Sequence, residues 1–237
     1  MSAEIQAVLF DIDDTLVDLE TAMGRTLHHI AGDSFSHLSE AEWVEYKRLF
    51  SKDPLGHYDS FLTGEITFAE QRLLRARHAQ ESLMVEPLVG AAARRWTTAY
   101  EATLPLHFAA YEDVVPLLDE LDARGIDYGA ISNNVHDYQR AKLDRAGLER
   151  VSALVGIDTV NAAKPDPAIF REGARLVQAD PARTLYIGDN YLIDARGADD
   201  AGLVGVWLNR PGVVAPASTV RSVTTLHDVL QFLPDIR

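Results

Sequence analysis

The stretch of sequence that decides the fold is Ala7-Val8-Leu9-Phe10-Asp11-Ile12-Asp13-Asp14-Thr15-Leu16. Its four consecutive apolar residues predict a strand buried on both faces, as in a parallel sheet. Three carboxylates then follow within four positions, and two unit charges ~4 Å apart repel each other by about 4 kcal/mol at an effective dielectric constant of about 20. Because a divalent cation would convert this repulsion into coordination, Asp11 and Asp13 are candidate metal ligands.

This acidic stretch has two other interpretations. A calcium-binding EF-hand loop requires Gly at its sixth position and Glu at its twelfth, where this chain has Leu16 and Ala22. An acidic turn that caps the next helix stays open for Asp14 and Asp18.

Composition narrows the class of protein. The chain has 237 residues, of which 47% are hydrophobic and 24% charged, which is typical of a globular protein with one domain and an insertion. Its net charge of −14 argues against nucleic acid or an anionic membrane as the main partner. The absence of cysteine excludes disulfides and thiolate chemistry. The N-terminal sequence shows no signal-peptide pattern and no stretch is long enough for a membrane span, so we expect a cytoplasmic protein. We also expect a monomer or homodimer whose partner is a small molecule.

The order of predicted elements indicates an α/β fold. Capping boxes at Ser39/Glu42 and Thr67/Glu70 predict two helices within a stretch, 18–106, that has no β-rich run. Residues 52–64 in that stretch are predicted as a loop. Further along, short apolar strands at 128–131, 154–157, 184–187 and 204–208 alternate with helices, and a last helix is predicted at 226–233. This alternation predicts a doubly wound parallel sheet, a Rossmann-like core built from 1–17 and 107–237, with 18–106 as an inserted all-helical domain.

Polar residues stand at the carboxyl ends of three of these strands. Asp11, Ser132 and Asp189 each follow an apolar run. In open parallel sheets, ligands bind at the carboxyl ends of the strands, so we expect these side chains to converge on one crevice.

Four motifs in this order resemble those of the haloacid dehalogenase-like hydrolase superfamily, in its helical-cap phosphatase branch. They are Asp11-Ile12-Asp13-Asp14-Thr15, Ser132-Asn133, Lys164-Pro165, and Gly188-Asp189 with Asp194 five residues after Asp189. The helical stretch lies between the first two motifs, where this superfamily carries its cap domain. Each residue alone has a plainer interpretation as a helix cap, turn or surface residue, whereas their shared order and placement favour the functional one.

The resemblance implies a role for each matching residue. Asp11 would be the nucleophile and a ligand of Mg²⁺, and Asp13 would be the general acid and base and lend its carbonyl to the metal. Asp189 would be the second carboxylate ligand, and Asp194 would either hold Lys164 or reach the metal through water. Four residues would bind the substrate phosphate: Thr15, Ser132, Asn133 and Lys164, with Ser132 expected at a strand-to-helix junction where a helix N-terminus favours the anion.

The acid at position 13 favours phosphoryl chemistry, because by resemblance the dehalogenases lack an acid there. We therefore expect a Mg²⁺-dependent phosphatase that hydrolyses a small phosphate monoester, with a leaning to a nucleotide, a sugar phosphate or flavin mononucleotide, through an aspartyl-phosphate. A phosphosugar mutase or phosphotransferase, and a non-catalytic Mg²⁺-dependent binding module, remain alternatives. Arg72 and Arg75, one helical turn apart with Phe68 on the same side, are candidates for substrate selection by the cap.

Overall fold

The structure is a computed structural model that describes residues 4–214 and 220–234. The expectation about the N-terminal sequence partly concerns residues 1–3, which lie outside the described residues. The chain divides into two compact units: Leu19–Phe108 is one, and the flanking segments Met1–Asp18 and Ala109–Arg237 together form the other.

A six-stranded parallel sheet forms the centre of the second of these units. Its strands are β1 (Ala7–Phe10), β2 (Asp127–Ile131), β3 (Ala153–Val155), β4 (Thr184–Gly188), β5 (Val204–Leu208) and β6 (Arg221–Val223). They lie in the order β3-β2-β1-β4-β5-β6, which confirms the predicted doubly wound α/β fold. The strand predicted at 154–157 is the shorter β3 in the structure. β6 was not predicted, because its three residues include Arg221 and Ser222 and therefore form no apolar run.

The strand predicted from the first apolar run lies in the middle of this sheet. β1 is hydrogen-bonded to β2 on one side and β4 on the other, with Val8 opposite both Tyr128 and Leu185. All four of its residues are buried, since neighbouring strands flank it and both faces of the sheet are covered. Asp11, the next residue, is thereby held at the carboxyl edge between two other strands.

The unit formed by Leu19–Phe108 is helical throughout its regular structure. Its α-helices are α1 (Leu19–Ile30), α2 (Glu40–Lys52), α3 (His57–Leu62), α4 (Phe68–Ser82) and α5 (Gly90–Thr103). Both predicted capping boxes are present, at the starts of α2 and α4. The loop predicted at 52–64 is wrong in part, because it contains α3. The Asp53 carboxylate accepts a hydrogen bond from the Tyr58 N–H, 2.6 Å away, and so supports the first turn of that helix.

The helices of the sheet-containing unit connect its strands. They are α6 (Val114–Arg124), α7 (His136–Arg145), α8 (Ile157–Val160), α9 (Pro167–Leu176) and α10 (Gly197–Ala201), preceded by a π-helical turn at Tyr191–Arg196. The last predicted helix is instead a 3₁₀ segment, His227–Phe232. Within the described part of the chain, every helix is too short or too polar to cross a bilayer.

Candidate active site

The loop after β1 is compact and holds its apolar residues inward. The Ile12 carbonyl accepts hydrogen bonds from the N–H groups of Leu16, at 3.0 Å, and Val17, at 2.9 Å. Asp14 takes a left-handed backbone conformation with φ of 59°, which Asp tolerates better than most residues. Ile12, Leu16 and Val17 are fully buried, whereas the Asp13 side chain remains 27% exposed. The packing of this loop therefore presents Asp13 at the carboxyl edge of the sheet.

Three aspartates meet at this edge. The Asp11 N–H donates to the Ile187 carbonyl, 2.8 Å away, which continues the pairing of β1 with β4 by one residue. Asp189 follows β4 directly, and Asp194 lies in the π-helical turn that comes next. Carboxylate oxygens of Asp11, Asp189 and Asp194 all lie within 4.8 Å of one another.

Lys164 lies among these carboxylates. Its Nζ is 2.5 Å from Asp11 Oδ1, 2.7 Å from Asp194 Oδ1 and 2.9 Å from the Tyr186 hydroxyl. Only 3% of its side chain is exposed. The other oxygen of Asp194 accepts a hydrogen bond from the Asn190 N–H, at 2.9 Å. Asp194 Oδ1 also accepts from the Tyr186 hydroxyl, at 3.2 Å, so both acceptor positions of the oxygen that contacts Lys164 are used within the protein. This geometry favours the interpretation in which Asp194 holds Lys164 in place.

Gly188 is the residue that allows Asp194 so close to β4. A Cβ atom built on Gly188 would lie 2.4 Å from Asp194 Cγ and 2.5 Å from Oδ2. Those separations are far inside van der Waals contact, so a side chain at this position would displace the Asp194 carboxylate. The glycine that precedes Asp189 in the fourth motif thus has a steric reason in this structure.

The electrostatics of the aspartate cluster fit a divalent cation. Its three carboxylates face one ammonium group, which leaves a surplus of two negative charges. Burial raises the pKa of Asp11 to about 7, Lys164 opposes the rise, and the Asp194 charge adds to it. Loss of hydration at the sheet edge, followed by the charges of Asp11 and Asp194, raises the pKa of Asp189 to about 8, although the residue is exposed in part. A cation would relieve this repulsion, and a set of hard carboxylate oxygens is what Mg²⁺ prefers.

Ser132 reaches the same edge but is not at a helix N-terminus. Its N–H donates to the Val155 carbonyl, at 2.9 Å, and so belongs to the sheet. α7 begins only at His136, with Val135 as its N-cap residue. Ser132 thus lies in the predicted strand-to-helix junction, with three residues between it and the first turn of α7.

The two other predicted phosphate-binding residues are placed differently from one another. The Asn133 side-chain amide donates to the Lys164 carbonyl, at 2.9 Å, and accepts from the Lys164 N–H, at 2.6 Å. It therefore fixes the backbone that carries Lys164. The Thr15 hydroxyl is fully buried and has no hydrogen-bond partner among the described residues.

Three residues at this site were not predicted from the sequence. Gln139 and Lys142, both on α7, contact the Asp13 carboxylate, and Tyr186 of β4 contacts Lys164 and Asp194. Tyr186 is fully buried in the core, so its sequence signal is that of an ordinary strand residue. The sequence of α7 did carry one signal. Gln139 and Lys142 are three residues apart, and Lys142 precedes the apolar Leu143, so both long polar side chains fall on the buried face of the helix.

Arg72 and Arg75 both lie on α4, and their contacts differ. Arg75 donates to the Phe50 carbonyl, at 2.7 Å, and to the Ser51 carbonyl, at 3.2 Å. Its guanidinium is thus committed to the backbone at the end of α2. The Arg72 guanidinium lies over the Phe68 ring, 4.0 Å from its centroid, as the predicted shared side of the helix implies.

A comparison with known families identifies this arrangement. A sequence model of the haloacid dehalogenase-like hydrolases matches residues 5–202. The chain therefore belongs to this family of hydrolases, which confirms the resemblance drawn from the four motifs.

Individual relatives carry two kinds of activity. A glyceraldehyde 3-phosphate phosphatase of Methanopyrus kandleri is 32% identical over 216 residues, which cover 87% of this chain and 84% of the relative. A (S)-2-haloacid dehalogenase of Pseudomonas putida is 26% identical over 238 residues, 98% of this chain and 99% of the relative. The structure of the Bacillus subtilis HAD hydrolase YfnB, determined with magnesium, has the same fold, with a TM-score of 0.75 at 22% identity over 97% of this chain and 99% of that one.

Proposed function

We propose that this protein is a Mg²⁺-dependent phosphatase that hydrolyses the phosphate monoester of a small metabolite through an aspartyl-phosphate on Asp11. The observation that carries the proposal is that two acidic groups at one sheet edge have different partners. Asp11 lies with Asp189, Asp194 and Lys164, whereas the Asp13 carboxylate accepts hydrogen bonds from Gln139 and Lys142. One carboxylate is thereby available as a nucleophile and the other as an acid and base.

The metal would be held by side-chain oxygens of Asp11 and Asp189 and by the backbone carbonyl of Asp13. When bound, Mg²⁺ neutralises the charge between an anionic nucleophile and an anionic phosphoryl group. Lys164 provides a further positive charge beside Asp11, and burial strengthens its effect on developing negative charge. Asp194 and Tyr186 orient this ammonium group.

The reaction then divides into two displacements on phosphorus. Asp11 attacks the phosphoryl group, the bond from phosphorus to the ester oxygen breaks, and Asp13 donates a proton to that oxygen. Asp13 next takes a proton from water, which attacks the aspartyl-phosphate, so that inorganic phosphate leaves and the Asp11 carboxylate is restored. General acid–base catalysis of this kind contributes about 10²–10⁴-fold to the rate.

The acid at position 13 is the reason for choosing a phosphatase over a dehalogenase. An alkoxide leaving group needs a proton, whereas a halide leaves without one. Gln139 and Lys142 each donate to one oxygen of Asp13. Because a carboxylate oxygen accepts two hydrogen bonds, the Asp13 carboxylate can still contact the leaving group. The phosphatase from Methanopyrus kandleri supports a small phosphorylated metabolite as the substrate class.

We further propose that the helical unit Leu19–Phe108 is the cap that selects the leaving group. Arg72 is the candidate contact to the substrate, and the contacts of Arg75 favour a structural role inside the helical unit. Arg72→Ala should raise KM for the best substrate with a smaller effect on kcat. An unchanged KM across a substrate panel would contradict the assignment of Arg72.

The experiment that tests the proposed function is phosphate release from p-nitrophenyl phosphate and a panel of nucleotides, sugar phosphates and flavin mononucleotide. Release should need Mg²⁺, cease in EDTA and recover poorly with Ca²⁺, because Ca²⁺ takes more ligands at longer distances. It should also cease in Asp11→Asn. Asp127→Asn is the matched control, since Asp127 is exposed at the opposite, amino end of β2. Activity that persists in Asp11→Asn would overturn the proposal, and phosphoryl transfer between sugars without release would point to a mutase.

A further inference from the structure

Two side chains of α7 hold the Asp13 carboxylate. Lys142 Nζ donates to Asp13 Oδ1, and Gln139 Nε2 donates to Oδ2 at a distance of 2.9 Å. The donors lie three residues apart on the helix, so they project from the same face. We call Gln139 and Lys142 the Asp13 clamp.

Both members of the Asp13 clamp are buried. The Lys142 side chain is 1% exposed and Gln139 is fully buried, whereas the Asp13 side chain is 27% exposed. Removing a charge from water is costly, and well-packed apolar residues in place of a buried ion pair are often neutral or stabilising. Fold stability alone therefore does not explain a lysine at position 142. Its contact with the Asp13 carboxylate does.

Gln139 also connects Asp13 to the second motif. The same Nε2 that contacts Asp13 donates to the Ser132 hydroxyl oxygen, 2.5 Å away. Both amide hydrogens are thus used on side chains at the carboxyl edge of the sheet. The Gln139 carbonyl oxygen is buried and has no hydrogen-bond partner among the described residues, so the amide is oriented by its donors.

From these contacts we propose that Gln139 and Lys142 are positioning residues that orient the Asp13 carboxylate for proton transfer to the leaving oxygen. The proposal rests on the proposed phosphatase function. A carboxylate at the end of a loop can rotate about two side-chain bonds, and a donor on each oxygen restricts that rotation. Proton transfer needs heavy atoms within about 2.6–3.2 Å, so a small change in orientation costs rate.

The test compares two leaving groups in Lys142→Met and Gln139→Leu. An alkyl phosphate from the substrate panel needs protonation of its leaving oxygen, whereas p-nitrophenolate leaves with little help. With the alkyl phosphate, kcat should fall about 10–100-fold with little change in KM, as expected for partial loss of acid catalysis. Release of p-nitrophenolate in a single turnover, which reports the first displacement alone, should change much less.

A second measurement asks whether the Asp13 clamp acts through Asp13. In an Asp13→Asn background, neither substitution should lower the rate further, because interacting residues are not additive. Arg145→Met, an exposed position on the same helix, is the control and should leave both rates unchanged. If Lys142→Met fails to fold, Gln139→Leu, which is nearly isosteric, decides the question.

Equal losses for both leaving groups, or further loss in the Asp13→Asn background, would assign the clamp a purely structural role and overturn the inference. So would unchanged kinetics with the alkyl phosphate. The comparison of variants requires a wild-type protein that releases phosphate. A wild-type protein without phosphate release would instead overturn the proposed function itself.

Discussion

Replacement of Lys164 by Met tests the reasoning about the aspartate cluster most directly. The ammonium group contacts Asp11 and Asp194 at 2.5 and 2.7 Å, and its side chain is 3% exposed. Met has a similar length without the charge, so the substitution leaves two carboxylates buried with no cation between them. Breaking a buried ion pair by removing one partner costs about 3–5 kcal/mol. We therefore expect the free energy of unfolding of metal-free Lys164→Met to fall by about that amount near neutral pH.

Urea denaturation in EDTA measures this loss of stability. Two further variants serve as its controls. Lys52→Met removes an ion pair with Glu20 of similar length, 2.6 Å, whose side chains are 58% and 50% exposed. That control should lose less than about 1 kcal/mol, because water screens exposed pairs. Asp194→Asn added to Lys164→Met should recover part of the lost stability, since it removes one uncompensated charge. A Lys164→Met protein as stable as Lys52→Met would refute the view that this lysine neutralises the cluster.

Three other results are expected. Gly188→Ala should lower the free energy of unfolding by about 1–3 kcal/mol and reduce phosphate release, because the added Cβ would lie 2.4 Å from Asp194 Cγ. Gly32→Ala is the control: no atom lies within 4 Å of its added Cβ, so stability and phosphate release should stay unchanged. Metal-free protein should lose stability as pH rises from about 4 to about 8: burial raises the pKa of Asp11 to about 7 and the pKa of Asp189 to about 8, so the folded state binds these protons more tightly than the unfolded state. Urea denaturation at a series of pH values checks the slope, which Asp11→Asn should reduce. Arg75→Ala should lower the melting temperature of the protein without raising KM, since the Arg75 side chain donates to two backbone carbonyls of the helical unit.

Local sequence patterns determined much of the fold. An apolar run with no polar residue predicts a strand covered on both faces, and β1 is the fully buried strand between β2 and β4. The capping boxes at Ser39 and Thr67 were predictable, because both partners of each lie within one helical turn. Elements without such local signals, α3 and β6, were missed.

The sequence also indicated the acidic residues of the candidate site, since Asp11 and Asp189 follow apolar strands whose carboxyl ends must meet in a parallel sheet. Only the tertiary structure decided how the remaining side chains are used. The partners of Asp13 come from 126 and 129 residues away, and the Asn133 side-chain amide is hydrogen-bonded to the backbone of Lys164. Strand, helix cap and motif are set by interactions within a few residues, which a sequence displays. Which donor reaches which carboxylate depends on how α7 packs beside the sheet, and a local sequence pattern does not indicate that packing.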